Sequence, residues 1–183
     1  MKNDDKFTFQ IYQALVNCIA ESHDIELMAN QLTQLLVGTL GIKGAALFIL
    51  DPVRRELQYL TSTGLSMDYV NKGPVLVDKS ISLGLNREMV IIPDVSKSDK
   101  LQYPDRALAE GVGAIVSSPI VIRDKVIGAL RLYHGAPWDV SESDIAFIQT
   151  LAQNVGMALM YFRISLSVNE LRDTLEDIHA IWL

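Results

Sequence analysis

IVSSPIVIRDKVIGALRLYHGAPWDVSESD, residues 115–144, is the stretch whose reading decides the fold. Ile115 to Ile122 is apolar and β-branched, Arg123-Asp124-Lys125 is a polar break, and Val126 to Tyr133 is apolar again. That pattern predicts two antiparallel strands and a tight turn. A two-residue turn at Asp124-Lys125 sets Arg123 opposite Val126, Val121 opposite Gly128 and Ser118 opposite Arg131. Strand side chains alternate faces. One face then carries Val116, Ser118, Ile120, Ile122, Ile127, Ala129, Arg131 and Tyr133. The other carries Ile115, Ser117, Pro119, Val121, Val126, Gly128, Leu130 and Leu132. Gly128 marks a close approach by another backbone, read as a helix. A cation on an otherwise apolar face needs a partner. For Arg131 that partner is either a buried carboxylate or an anionic ligand gripped by the planar guanidinium, with Ser118 and Tyr133 beside it.

The same stretch leads into a helix. Ser141 and Asp144 form an S-x-x-D capping box, and Ile148, Leu151, Val155, Ala158 and Phe162 lie on one face beyond it. A second stripe runs Met157, Tyr161, Ile164, Val168, Leu171, Leu175, Ile178, Trp182, spaced 4-3-4-3-4-3-4. This is a heptad seam. A helix from Ser143 to Ile181 would be about 60 Å long at 1.5 Å per residue. It outruns a domain of this size, and an exposed seam predicts a dimer.

Upstream, Phe7, Ile11, Leu15, Cys18 and Ile19 mark a helix over 7–21. Asp24 caps a second helix that ends at Leu40-Gly41. Ala45 to Leu50, Leu57 to Thr61 and Met89 to Ile92 read as strands, and Asp105 to Glu110 as a short helix stopped by Gly111. Between Gly64 and Leu85 the pattern weakens to loop with short helical turns. Residues 64–111 are placed to close a pocket over the sheet.

In this order, DIELMANQLTQLLVGTLGIKGAALFILD, MVIIPDV, DRALAEGVGAIVSSPI, KVIGALRL and FIQTLAQNVGMAL resemble the GAF domain family over about Asp24 to Tyr161. The resemblance implies an α+β fold. A central antiparallel sheet of five or six strands would carry helices on one face and a loop-closed pocket on the other. It implies a sensory or regulatory module for signal transduction. The expected organisation is an N-terminal bundle helix (1–23), the GAF-like domain (24–161) and a coiled-coil-like extension (162–183).

The chemistry that members of this family carry finds little support in these residues. Methionine sulfoxide reduction needs a thiol pair in the pocket loops, and covalent bilin attachment mostly needs a pocket cysteine. Cys18 is the one cysteine, and it lies on a helical face. The Asn-Lys pair of cyclic-nucleotide-binding members has no counterpart in Tyr133-His134…Trp138…Ser143-Asp144. His23, His134 and His179 form no metal pair, and haem is not supported, although His134 is the best-placed single ligand. Asp94 reads as a turn residue or as part of the ligand site. Net charge −6 and no basic run beyond Arg54-Arg55 argue against nucleic acid. No apolar run approaches the ~20 residues that span a bilayer, and MKNDDKFTFQ has no signal-peptide core, so a cytoplasmic protein is expected. The function expected is ligand-dependent signalling through a homodimer, without catalysis, toward an output domain or signalling partner. The alternative is a ligand-free interaction and dimerisation module.

Overall fold

The structure, a computed structural model, describes residues 7–76 and 87–181, with side chains described as far as residue 175. The expected loop residues Ser80 to Asn86, the side chains of Ile178 and His179, and Trp182 lie outside the described residues. Six strands form one antiparallel sheet: β1 (Gly44–Asp51), β2 (Glu56–Thr63), β3 (Val75–Leu76), β4 (Val90–Ile92), β5 (Ala114–Ile122) and β6 (Lys125–His134), in the order β3-β2-β1-β6-β5-β4. Helices α1 (Phe9–Glu21), α2 (Ile25–Leu40) and α5 (Glu142–Ile181) belong to one face. The short helices α3 (Met67–Val70) and α4 (Pro104–Ala109), with a 3-10 turn at Val95–Lys97, belong to the other.

The local rules explain the ends of these elements. Asp24 accepts the amides of Glu26 and Leu27, and Gly41 closes α2 in the left-handed region at φ 59°. Ser141 Oγ accepts the Asp144 amide at 3.1 Å, so the capping serine is where the sequence places it. The helix-side core takes Leu32 and Leu36 of α2, Leu47 of β1, Leu130 and Leu132 of β6, and Ile148, Leu151, Val155, Leu159 and Phe162 of α5. The first helix belongs to the same core, with Leu15 fully buried.

The start of the chain is stapled along α5. The Phe7 amide donates to Asp144 Oδ1 at 3.4 Å, and Asn154 Nδ2 donates to the Tyr12 hydroxyl at 2.8 Å. The Phe147 ring lies 4.1 Å from Phe7 and 5.1 Å from Tyr12, centroid to centroid. Beyond Phe162, α5 leaves the sheet. Met157, Tyr161, Ile164, Val168, Leu171 and Leu175 are all 56–67% exposed. By length and composition alone α5 could cross a membrane between Glu142 and Leu175, and 39% of its most apolar window is buried in the fold.

The β5–β6 hairpin corrects the expected register. Its turn residues are Arg123 and Asp124, both left-handed at φ 45° and 65°, with Ile122 opposite Lys125. This is the backbone of a two-residue hairpin turn whose twist matches its strands. The turn thus sits one residue earlier than the polar break suggests. A bulge near Ile120/Val121 then shifts the pairing, and Ser117, not Ser118, lies opposite Arg131. From Gly128 onward the β6 faces stand as expected, with Arg131 and Tyr133 toward the loops and Leu130 and Leu132 toward the helices, whereas before the bulge they are exchanged, Val126 packing on the loop side and Ile127 on the helix side. The β5 faces are exchanged: Ile115 and Ser117 join Arg131, while Val116, Ser118 and Ile120 lie under the helices. Gly128 is tight for a different reason from the one expected. A Cβ there would meet the Phe48 carbonyl of the neighbouring strand at 2.2 Å, so the close backbone is β1 rather than a helix.

Candidate functional site

The loop-covered face is a second apolar core with a polar centre. Ala46 and Phe48 of β1, Leu57 of β2, Ala129 of β6 and Ile115 of β5 supply its floor. Tyr69 from α3, Val75, Val95 and Ala107 close over them. Arg131 rises from the middle of β6 and is only 5% exposed. Its Nε donates to Ser117 Oγ at 3.1 Å, its guanidinium carbon lies 4.9 Å from the Phe48 ring centroid, and its charge acts on the neighbouring Tyr133 phenol. The floor thus holds the cation by a hydrogen bond and an aromatic face together.

Lys72 is a second cation on this face, missed at the level of sequence. Its Nζ donates to the Tyr59 hydroxyl at 3.0 Å and to the Tyr69 carbonyl at 2.9 Å, and it lies 3.7 Å from the Tyr69 ring centroid. Burial, then the Arg131 charge, depress its pKa to about 8, with Glu110 opposing. Burial also pushes the Tyr59, Tyr69 and Tyr133 phenols above their usual value, against the field of Arg131. All three phenols stay neutral at pH 7.

Loop hydrogen bonds flank the space beside the two cations. Gln102 Nε2 and the Tyr103 hydroxyl donate to the Pro74 carbonyl at 2.9 and 3.0 Å, and the Leu76 amide donates to Gln102 Oε1 at 3.1 Å. The cavity measures about 20 Å³, is partly open to solvent, and is lined by Tyr69, Lys72, Val75, Leu101, Gln102, Tyr103, Ile115 and Arg131. A water molecule needs roughly 10–15 Å³ on this measure, so there is room for about one. Just outside, Glu110 fastens the α3 end of the loop by accepting the Ser66 amide at 3.0 Å, the Ser66 hydroxyl, and Lys43 at 3.4 Å.

Of the residues singled out in sequence, Arg131 lines the cavity, and Tyr133, 1% exposed, lies beneath it in the same apolar cluster. Ser118 does not: it is buried on the helix side, and its hydroxyl has no hydrogen-bond partner among the described residues. Ser117 takes its place. Asp94 caps the 3-10 turn through the Ser96 amide at 3.0 Å and pairs with Lys97 at 2.8 Å, outside the cavity. Trp138 packs in the helix-side core, and the Asp144 carboxylate accepts from Phe7, so neither lines the cavity. His134 Nδ1 is occupied with residue 136 at the strand end. Cys18 is half-buried between α1 and α2, and burial, then Glu21, raise its thiol pKa. Among the described residues, no group of three or more His, Cys, Asp or Glu is placed to hold a metal ion.

Comparison with known proteins agrees with this architecture. No curated protein is a significant match. A GAF domain from a Coxiella burnetii phosphoenolpyruvate-protein phosphotransferase superposes with a TM-score of 0.76 at 20% identity, covering 86% of this chain and 95% of that one. A domain of a two-component sensor histidine kinase protein from Sinorhizobium meliloti gives 0.70 at 19% identity, covering 81% and 99%. A free methionine-R-sulfoxide reductase from Neisseria meningitidis, in complex with its substrate, gives 0.71 at 14% identity, covering 85% and 89%. The fold is therefore shared by regulatory domains and by an enzyme. The family profile of the GAF domain matches residues 24–159, and with the six-stranded sheet and its loop-covered face this shows that the chain belongs to the GAF domain family.

Proposed function

We propose that this GAF domain is a regulatory module without catalysis of its own. In this reading it forms a parallel homodimer through α5 and reports the state of its loop-covered pocket along that helix to an output domain or partner. The observation that carries the reading is the exposed seam Met157, Tyr161, Ile164, Val168, Leu171, Leu175 on a helix of 40 residues, about 60 Å long. Ile178 continues the same spacing in sequence. Fully burying an apolar side chain of this size is worth about 1.5–3 kcal/mol. Six residues from each of two helices, each with a little over half its surface still to bury, supply about 10–20 kcal/mol. Association costs about 4–15 kcal/mol, so dimerisation is favoured. A ligand controls such a dimer only through different affinities for its two states.

A second reading, an interaction and dimerisation module with no ligand, is favoured by the small volume of the cavity. Both readings share the α5 dimer. The test is Leu171→Asp with Leu175→Asp, sized by light scattering. The wild type is expected to be dimeric at micromolar concentration and the double variant monomeric. A monomeric wild type, or a variant that stays dimeric, overturns the proposal. Turnover of methionine sulfoxide by the pure protein would overturn its non-catalytic part.

A further inference from the structure

The seam of α5 does not begin at Met157. Followed upstream with the same spacing of three and four, it passes through Asn154, Thr150 and Phe147. Two of these positions are covered, and the cover is the chain's own start. Asn154 Nδ2 donates to the Tyr12 hydroxyl at 2.8 Å, and the Phe147 ring lies against Phe7 and Tyr12. Phe147 and Asn154 are half-buried, while Thr150 between them is exposed. From Met157 to Leu175 the seam residues are 56–67% exposed. One stripe thus changes character along its length: residues 7–12 cover its first part from within the chain, and the rest lies open.

The two halves of this N-terminal segment are held differently. Leu15 is fully buried in the helix-side core and anchors the later turns of α1. Ahead of it, the attachments to α5 are one amide bond to Asp144 at 3.4 Å, one side-chain bond and two ring contacts. The amide bond is longer than the usual 2.7–3.2 Å. A second α5 offers Phe147 and Asn154 the same kinds of contact. In a parallel pair of helices an Asn on the seam meets its equivalent on the partner and fixes the register, and Phe147 would meet Phe147. The two occupants need the same place and exclude one another. We propose that residues 7–12 are an intramolecular strap that competes with the α5 of a second copy for the Phe147–Asn154 part of the seam. This rests on the α5 dimer reading. With the strap seated, pairing starts at Met157. With it released, pairing runs about ten residues further upstream, about 15 Å of helix. The start of the chain thereby governs how far two α5 helices zip together, and how tightly.

The test is disulfide cross-linking of the purified full chain with copper phenanthroline, in a Cys18→Ala background, beside sedimentation equilibrium of the same proteins without an added cysteine. Equivalent seam residues face one another in a parallel dimer. Leu171→Cys is expected to cross-link two chains whether the strap is seated or not, and Thr150→Cys to do so efficiently only when it is released. Phe7→Ala with Tyr12→Ala is the releasing variant. It should raise Thr150→Cys cross-linking about fivefold or more and leave Leu171→Cys unchanged. It should also lower the dimer's dissociation constant about tenfold, because more of the seam is then buried between the helices. Tyr12→Phe removes only the hydroxyl that accepts from Asn154. It should move both readouts in the same direction by about two- to threefold, and it carries the test if the double variant fails to fold. Thr150→Cys cross-linking that does not rise in the folded strap variants would overturn the inference. So would a weaker dimer on release, which would make residues 7–12 part of the dimer interface rather than its competitor. Either result with Leu171→Cys still cross-linking sinks the strap alone and leaves the α5 proposal standing; no cross-link at Leu171→Cys sinks the α5 proposal and the strap with it.

Discussion

Ser117 and Ser118 are neighbours in one strand with opposite environments, and their alanine variants should move stability in opposite directions. Ser117 is 1% exposed, and its Oγ accepts from the guanidinium of Arg131 at 3.1 Å. Losing a buried hydrogen bond to a charged group costs about 1.5–3 kcal/mol. Ser118 is equally buried, but its Oγ has no hydrogen-bond partner among the described residues. A buried unsatisfied polar group carries a penalty of about 1–3 kcal/mol. Replacing that hydroxyl by hydrogen should therefore stabilise by about 1 kcal/mol. The strand propensity change is the same for both variants, so it drops out of their difference, which should be about 3 kcal/mol. For a chain of this length each kcal/mol moves Tm by about 2–4 °C. Ser117→Ala is then expected to melt about 3–12 °C below the wild type, and Ser118→Ala about 2–4 °C above it. Urea unfolding followed by circular dichroism gives the same comparison at 25 °C. Protein concentration must be held fixed, since a dimer's apparent stability depends on it. If Ser118→Ala is the destabilising variant and Ser117→Ala is neutral or better, the hairpin is paired one residue away and the account of Arg131 fails with it.

Gly128→Ala should destabilise by at least about 1–3 kcal/mol in the same assay, because its Cβ meets the Phe48 carbonyl at 2.2 Å and neither strand can move away. Asp24→Ala should cost about 1 kcal/mol through the lost α2 cap, read from the urea midpoint, with Asp24→Asn costing less. Lys72 gives a pH signature. Its folded pKa, about 8, lies below the unfolded value near 10.4, so the unfolded chain holds more protons between those values and stability rises with pH across that window. Wild type minus Lys72→Met stability should therefore become more favourable by about 1 kcal/mol from pH 7.5 to 9.5, allowing for partial solvent screening. A flat difference would show that Lys72 is not buried as described. Above pH 10 the raised Tyr59, Tyr69 and Tyr133 act in the reverse sense, since they stay protonated in the fold while the unfolded phenols ionise.

Most of the architecture was legible because its signals are local. The α2 cap and stop at Asp24 and Gly41, the two stripes of α5 and the strand pair around Arg123-Asp124 all follow from residues within a few positions of one another. The register was not legible. Neither Arg123 nor Asp124 is the glycine that usually announces left-handed turn residues, and Gly128, beside the bulged Ile127, reads equally as a bulge or as a close backbone approach. The site was half legible. Arg131 stood out as a charge within an apolar strand. Lys72 did not, because it follows a short helix in a weakly patterned stretch, and its partners Tyr59 and Tyr69 reach it only through the tertiary fold. Asp94 is a turn cap, the plainer of its two readings, and the local spacing D-V-S-K was enough to expect it.

The staple between the start of the chain and α5 has a mechanical consequence. Phe7, Tyr12, Asp144, Phe147 and Asn154 join α1 to α5 without involving the sheet. The cavity lies on the sheet's far face and reaches α5 through the sheet and the core between. Displacement arriving along α1 and displacement arising at the cavity would therefore load the same rod by separate routes, as two levers on one shaft. Cutting one route, for instance with Tyr12→Phe at the Asn154 bond, need not silence the other.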